Sequence, residues 1–221
     1  MRKKVCAVLL PQTRRGEQIF GGWTNISTLC KVWKMQTKPL QPTLWRTCRV
    51  LANRNRLRIL AQLVRRQPQT VSQLAACVSF TLPVASQSLR ALESRGLLKV
   101  KRIRRRVEYH TPSNAEAGAL ADLIAALKTA LRREPVPTAR IIKLATAFTH
   151  PSRIGIYRYL HGSRKTRIQI QSGILISAPA LSRHLGKLVA RGFVKLDDVG
   201  RCTAIKPPEA IGRALAALAV A

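Results

Sequence analysis

The chain has 221 residues, 46% of them hydrophobic, and its 40 Lys and Arg face only 9 Asp and Glu, for a formal net charge of +31. That apolar content suffices for folded cores and excludes wholesale disorder. So large a positive surplus is tolerable on a surface that a polyanion neutralises, which points to DNA or RNA as partner.

Residues 1–39 carry eight basic and one acidic residue, lack sustained periodicity, and read as an irregular basic extension. After Met1-Arg2-Lys3-Lys4 only six apolar residues precede Pro11, short of the roughly 7–15 of a secretory signal. Met35 stands just ahead of the ordered region and is a candidate true start of translation. No apolar run approaches the roughly 20 residues that cross a bilayer, so no membrane partner is expected. Cys6, Cys30, Cys48, Cys77 and Cys202 are odd in number and form no C-x-x-C pair. They fit a reducing cytoplasm better than a disulfide framework.

Residues 40–112, with fifteen basic and two acidic side chains, make a first domain. Leu44, Cys48 and Leu51 share one helical face. Residues 56–64 supply a second helix with Leu57, Leu60, Ala61 and Val64 inward, and Pro68 then breaks the chain. Thr70 or Ser72 can cap a third helix, whose Val71, Leu74, Ala75 and Val78 turn inward. Thr81-Leu82-Pro83 opens a fourth, with Thr81 at the N-cap and the proline in the first turn, where its missing N–H costs little. Gly96 suits the position just past its end. Residues 97–103 and 107–110 alternate as two strands around the turn Arg104-Arg105-Arg106. Four helices followed by a hairpin is the order of a winged helix-turn-helix.

Residues 113–138 balance three basic with three acidic residues. Over 114–133, Leu120, Leu123, Ile124, Leu127 and Leu131 form a continuous apolar stripe, read as one long amphipathic helix ended by Pro135 and Pro137. Its stripe is long enough to dock on a second domain or on another chain. Residues 139–221, fourteen basic against three acidic, then repeat the plan. Ile141, Ile142, Leu144, Ala145 and Phe148 mark one helix, and Ile154, Tyr157 and Leu160 the next. Ser177-Ala178-Pro179 matches Thr81-Leu82-Pro83, and strands at 193–196 and 202–205 flank a turn at Val199-Gly200. Pro207-Pro208 leads into a last helix rich in Ala and Leu.

The likeness is one of sequence as well as order. Residues 85–100 recur as 181–196, and Asn55-Arg56-Leu57-Arg58-Ile59 is echoed by Ser152-Arg153-Ile154-Gly155-Ile156. A long-period repeat means one structural unit used twice. The expected fold class is mainly α, of the α+β winged-helix kind: two tandem winged helix-turn-helix domains joined by a long amphipathic helix.

In such a unit the second helix of the motif enters the major groove while its apolar face holds it to the body. Leu89, Leu92 and Leu97, and Leu181, Leu185 and Leu188, are therefore core. The polar residues between them are left for DNA. They are Ser86, Gln87, Ser88 and Arg90 in the first unit, and Ser182, Arg183, His184 and Lys187 in the second. Thr81 and Ser177 at the helix starts suit phosphates, while Gln, Arg and Lys reach base edges. At the hairpin tip Arg104, Arg105 and Arg106 can enter the minor groove or clamp phosphates. The second hairpin is weaker, with Arg201 opposed by Asp197 and Asp198.

Arg56-Leu57-Arg58-Ile59-Leu60, the run Leu92-Glu93-Ser94-Arg95-Gly96-Leu97-Leu98 and Tyr109 at the hairpin's end resemble the ArsR-type winged-helix repressors. The second copy carries that family's S-R-H-L pattern as Ser182-Arg183-His184-Leu185. The resemblance spans about 44–133 and 139–220. It implies a bacterial-type cytoplasmic transcriptional repressor, located on the nucleoid, that binds operator DNA as a dimer paired through first and last helices. Here the second copy can stand for the second subunit, as an intramolecular pseudodimer, or two chains can pair as a homodimer through the middle and terminal helices. The family's metal sensors place C-x-C on the third helix, where Val71-Ser72-Gln73-Leu74 stands. Others place His and Asp on the last helix, where 114–133 has no His and only Asp122. No metal or other cofactor is therefore expected, and Cys48 and Cys77 read as small core residues.

An enzyme is not expected either, since H-E-x-x-H, G-x-S-x-G and P-loop motifs are missing and no acid–base pair stands out. Two rival readings remain open. One is a nucleoid-associated or RNA-binding protein without sequence preference. The other is a protein-interaction module that docks through the middle helix.

Overall fold

A computed structural model describes residues 43–221; the basic extension and Met35 lie outside the described residues. Helix α1 (Leu44–Leu51) buries Thr47, Cys48, Val50 and Leu51. Helix α2 (Arg54–Arg65) is capped by Asn53, whose side-chain oxygen accepts the Arg56 amide, one of the donors that every helix start leaves open. Beside Leu57, Leu60, Ala61 and Val64, it also buries Ile59 and Leu63. The stripe read from sequence is too narrow because α2 packs on several neighbours at once.

Strand β1 (Gln69–Thr70) leads into α3 (Val71–Val78), which starts at a capping box between Thr70 and Gln73, so Thr70 and not Ser72 is the cap. Helix α4 (Leu82–Glu93) follows, then the hairpin of β2 (Lys99–Ile103) and β3 (Arg106–His110). The antiparallel sheet runs β1-β3-β2, with Gln69 opposite Tyr109. Ile103 pairs with Arg106, so the turn is Arg104-Arg105 and Arg106 belongs to a strand.

The single long helix expected over 114–133 is broken. Helix α5 (Asn114–Ala117), a 3-10 turn (Gly118–Leu120) and α6 (Ala121–Leu131) replace it. Gly118 has φ +50° and ψ −129°, which residues with a side chain rarely adopt. The apolar stripe survives the break: Leu120, Leu123, Ile124, Leu127 and Leu131 are all buried.

The second half contains α7 (Thr138–Ala145), a 3-10 turn (Thr146–Phe148), α8 (Pro151–Leu160), α9 (Arg167–Ile174), α10 (Ala178–Ala190), β4 (Val194–Leu196), β5 (Cys202–Ala204) and α11 (Ala210–Val220). Its elements come in the order of the first half, down to the counterpart of β1, a lone β-bridge between Lys165 and Cys202. The chain turn ahead of α4 and of α10 is also the same. Ser79 and Leu175, 96 residues apart, both adopt left-handed φ, +54° and +52°. Phe148, Tyr157 and Phe193 meet edge to face, with ring centroids 4.7–6.1 Å apart, the arrangement their ring quadrupoles favour.

The halves share one continuous core. Helix α1 packs on α7 and on the turn after it, α2 on α7, and α6 on α11. Arg49 Nε donates to the Thr149 carbonyl (3.1 Å) and Arg65 pairs with Glu134 (2.6 Å). Cys48 is buried as expected, and burial raises its thiol pKa against the opposing influence of Arg153. Cys77 is exposed, contrary to the expectation of a core residue, because it falls off the Leu74, Ala75, Val78 stripe. No helix among the described residues is long and apolar enough to cross a membrane.

Because both halves draw on the same core, Leu127→Ala is expected to lower the stability of residues 43–221 as one unit, by about 2–5 kcal/mol. Denaturant unfolding followed by circular dichroism should show one shifted transition; two separate ones would mean that the halves melt independently. Leu175 is 93% exposed and loses no packing on replacement. Leu175→Asn, which tolerates left-handed φ, should add roughly 0.5–1 kcal/mol, read as a higher melting temperature.

Candidate nucleic-acid interface

Two helices present the same construction. Thr81 and Ser177 hold extended backbone at the N-caps of α4 and α10, make no side-chain capping bond, and are followed by a proline in the first turn. Their exposed hydroxyls stand beside helix N-terminal amides, the arrangement that suits a phosphate oxygen. Ala85, Leu89 and Leu92 seat α4 on the body, and Leu181, Leu185 and Leu188 seat α10.

On the outer face Gln87 and Arg90 are exposed and Ser86 half-buried; on α10, Ser182, Arg183 and Lys187 are exposed. Two residues assigned to that face are not on it. Ser88 and His184 are only 8% and 7% exposed. They occupy the same position of the repeat, the i+3 place of the stripes Ala85-Ser88-Leu89-Leu92 and Leu181-His184-Leu185-Leu188, and helical geometry turns that place inward. In the S-R-H-L pattern, therefore, Ser182 and Arg183 face out and the histidine faces the body.

The first wing carries Lys99, Lys101, Arg102, Arg104, Arg105 and Arg106, all exposed. Arg104 turns the hairpin at φ +51°. At its base Tyr109 is buried, and burial followed by Glu93 raises its pKa while Arg90 and Arg102 act the other way. The hairpin of β4 and β5 is shorter. Asp197 Oδ1 accepts the amides of Val199 (3.2 Å) and Arg201 (2.7 Å), so this carboxylate stabilises the turn, while Arg201 remains exposed.

Not every arginine is available. Arg58 donates to the Val78 carbonyl (3.0 Å) and lies over the Phe80 ring at 4.8 Å, which anchors the turn ahead of α4 to α2.

One cluster is not apparent from the sequence because its members come from four separate segments. Arg153 of α8 is 5% exposed and donates to the Thr149 hydroxyl, next to Arg49 on the Thr149 carbonyl. Arg191 Nε donates to Thr146 Oγ1 (2.7 Å). His150 caps α8, its Nδ1 accepting the Ser152 amide (3.1 Å), and its ring lies 4.6 Å from that of His184. Burial first, and the neighbouring cations after it, hold both imidazoles below the ordinary 6.5. Repetition is the only signal of it in the sequence: Asn53 and Ser88 occupy the matching places of the first half.

A base whose protonated form is disfavoured by folding binds fewer protons folded than unfolded. The stability contributed by His150 and His184 is therefore complete above pH 6.5 and lost as the pH falls through that value towards their lowered native pKa values. Melting curves from about pH 7.5 to about pH 5 should show a falling melting temperature. The fall should be shallower in His184→Leu, which extends the leucine stripe; an unchanged slope would assign the acid sensitivity to other groups.

Among the described residues no group of three or more His, Cys, Asp or Glu gathers as a metal ion requires. Comparison with curated proteins and with solved structures returned no match. A family model described as a helix-turn-helix domain matches residues 51–101, the stretch from the end of α1 through α4 into β2. The first half therefore carries a helix-turn-helix domain, a DNA-binding unit.

Proposed function

We propose that the chain is a sequence-specific regulator of transcription, most simply a repressor of the ArsR type, that reads double-stranded DNA with two tandem winged-helix units closed on each other as an intramolecular pseudodimer. Its role is binding without catalysis, in the cytoplasm and on the nucleoid. The observation that carries this reading is the duplicate construction of α4 and α10: extended hydroxyl N-cap, early proline, leucine-seated inner face and polar outer face, at matching positions of the repeat.

The pairing of the halves supports the pseudodimer. Like elements meet like: the first helix of one half, α1, packs on the first of the other, α7, and the last ones, α6 and α11, pack together. Two recognition helices in one chain are expected to occupy a bipartite site with centres about one helical turn, roughly 34 Å, apart. The halves differ in what they bring. Arg183 and Lys187 give α10 the stronger base-reading face, and Arg104, Arg105 and Arg106 give the first unit the stronger clamp on phosphates.

The test is selection of the full chain on a random-duplex pool at several salt concentrations, with sequencing of the bound fraction. A two-part motif is expected. Arg183→Ala should weaken binding by about 10–100-fold and relax the motif at one position. Replacing Arg104, Arg105 and Arg106 by Ala should weaken all sequences alike and flatten the log–log salt dependence by about 0.9 for each phosphate no longer neutralised. Tight binding without a motif would leave a nonspecific DNA- or RNA-coating protein. Light scattering completes the test: one chain per particle is expected, and association in the absence of DNA would favour the homodimer or the interaction module.

A further inference from the structure

We propose that the seam between the two halves is a receptor for one phosphate-class oxyanion, formed by Arg49 at the end of α1, the start of α8 with His150 and Arg153, His184 of α10, and Arg191. The site extends the DNA reading at one edge, since Arg183 and Lys187 lie on the outer face of the same α10, but its construction does not depend on that reading.

The first ground is charge without compensation. Two ion pairs exist among the described residues, Arg65–Glu134 and Arg140–Glu209, and neither involves the seam. The hydrogen bonds of Arg49, Arg153 and Arg191 go to uncharged acceptors: the carbonyl and hydroxyl of Thr149, the hydroxyl of Thr146 and the Lys187 carbonyl. Charged groups removed from water are normally paired with an opposite charge. Here a guanidinium 5% exposed has Arg191 and Arg49 as cationic neighbours and no ion pair among the described residues.

The second ground is that two buried polar atoms of the cluster, Arg153 Nε and His184 Nδ1, have no hydrogen-bond partner among the described residues. A guanidinium nitrogen only donates, so Arg153 needs an acceptor. The ten-residue helix α8 adds the positive end of its dipole at the same place. Donors arriving from α1, α8 and the end of α10 call for an acceptor with several oxygens pointing in different directions, as a phosphoryl group has.

The third ground is that the duplicated half lacks the site. Asn53 stands where His150 does, and Ser88 where His184 does. Arg56, the counterpart of Arg153, is only half-buried and donates to the Arg49 carbonyl (3.5 Å). The two imidazoles and the buried guanidinium thus belong to one copy of the repeat alone, and a generic feature of the fold does not account for them. The phosphoryl oxygens have two sources, a backbone phosphate of bound DNA or free inorganic phosphate.

Thermal unfolding of the full chain in inorganic phosphate, against chloride at equal ionic strength, tests the free-ion source. Salt titration of duplex binding tests the DNA source. Both are run on the wild type, Arg49→Gln, Arg153→Gln and Arg132→Gln, the last an exposed arginine outside the seam. The expected result is a rise in melting temperature that saturates with phosphate, with affinity reduced about tenfold or more in Arg49→Gln and Arg153→Gln and unchanged in Arg132→Gln. The general stabilisation by excluded salts neither saturates nor distinguishes these variants. Arg49 is exposed, so its variant keeps the test valid if Arg153→Gln fails to fold. Without a phosphate response, a loss of duplex affinity with a flatter salt slope in Arg49→Gln but not in Arg132→Gln assigns the site to DNA phosphate. The proposal is overturned if neither assay separates Arg49→Gln from Arg132→Gln, including when phosphate stabilises every variant alike. Duplex binding that survives such a result leaves the regulator reading intact. Saturable phosphate binding in a chain that ignores duplex DNA would do the reverse.

Discussion

The burial of α6 is the constraint on which the rest depends. Its leucine stripe packs against α2 of the first half, and the same helix packs against α11 of the second, so neither half completes its core alone. Apolar burial is worth roughly 25 cal/mol per Å² removed from water. The wings and the outer faces of α4 and α10 are consequences. They are short, polar and exposed elements that hold position because the leucines beneath them belong to a core built elsewhere.

Charge acts against that core. A chain with so few carboxylates cannot neutralise its cations internally, and its exposed arginines repel one another. Several are disarmed locally by stacking or by backbone carbonyls: Arg58 lies over the Phe80 ring at 4.8 Å, and Arg158 Nε donates to the Ala219 carbonyl at 2.6 Å. Others, in the hairpin of β2 and β3 and on α10, face solvent.

Most of the helical plan is legible in the sequence because it rests on periodicity. Every leucine assigned to the inner faces of α4, α6 and α10 is buried, and the repeat aligns Thr81 with Ser177 without structural help. What escapes has separate physical causes. The break at Gly118 leaves no mark on the apolar stripe, since the 3-10 turn delivers Leu120 to the same buried side as Leu123 and Ile124. Strand β1 is two residues long, too short for any alternation to show. Ser88 and His184 are legible in principle, since both fall on an i, i+3, i+4, i+7 stripe, but their polarity argues for the outside. The seam is out of reach, because nothing local links residue 49 to residues 150, 153 and 184.

The packing of α1 on α7 and of α6 on α11 takes place within one chain, and that has a consequence for dose. A regulator assembled from two identical subunits dissociates on dilution, so its active form falls faster than in proportion to the amount of protein present. Halves that are covalently joined and share a core cannot separate in this way. On the proposed reading, occupancy of a DNA site would follow the first power of the chain's concentration down to the last few copies in a cell.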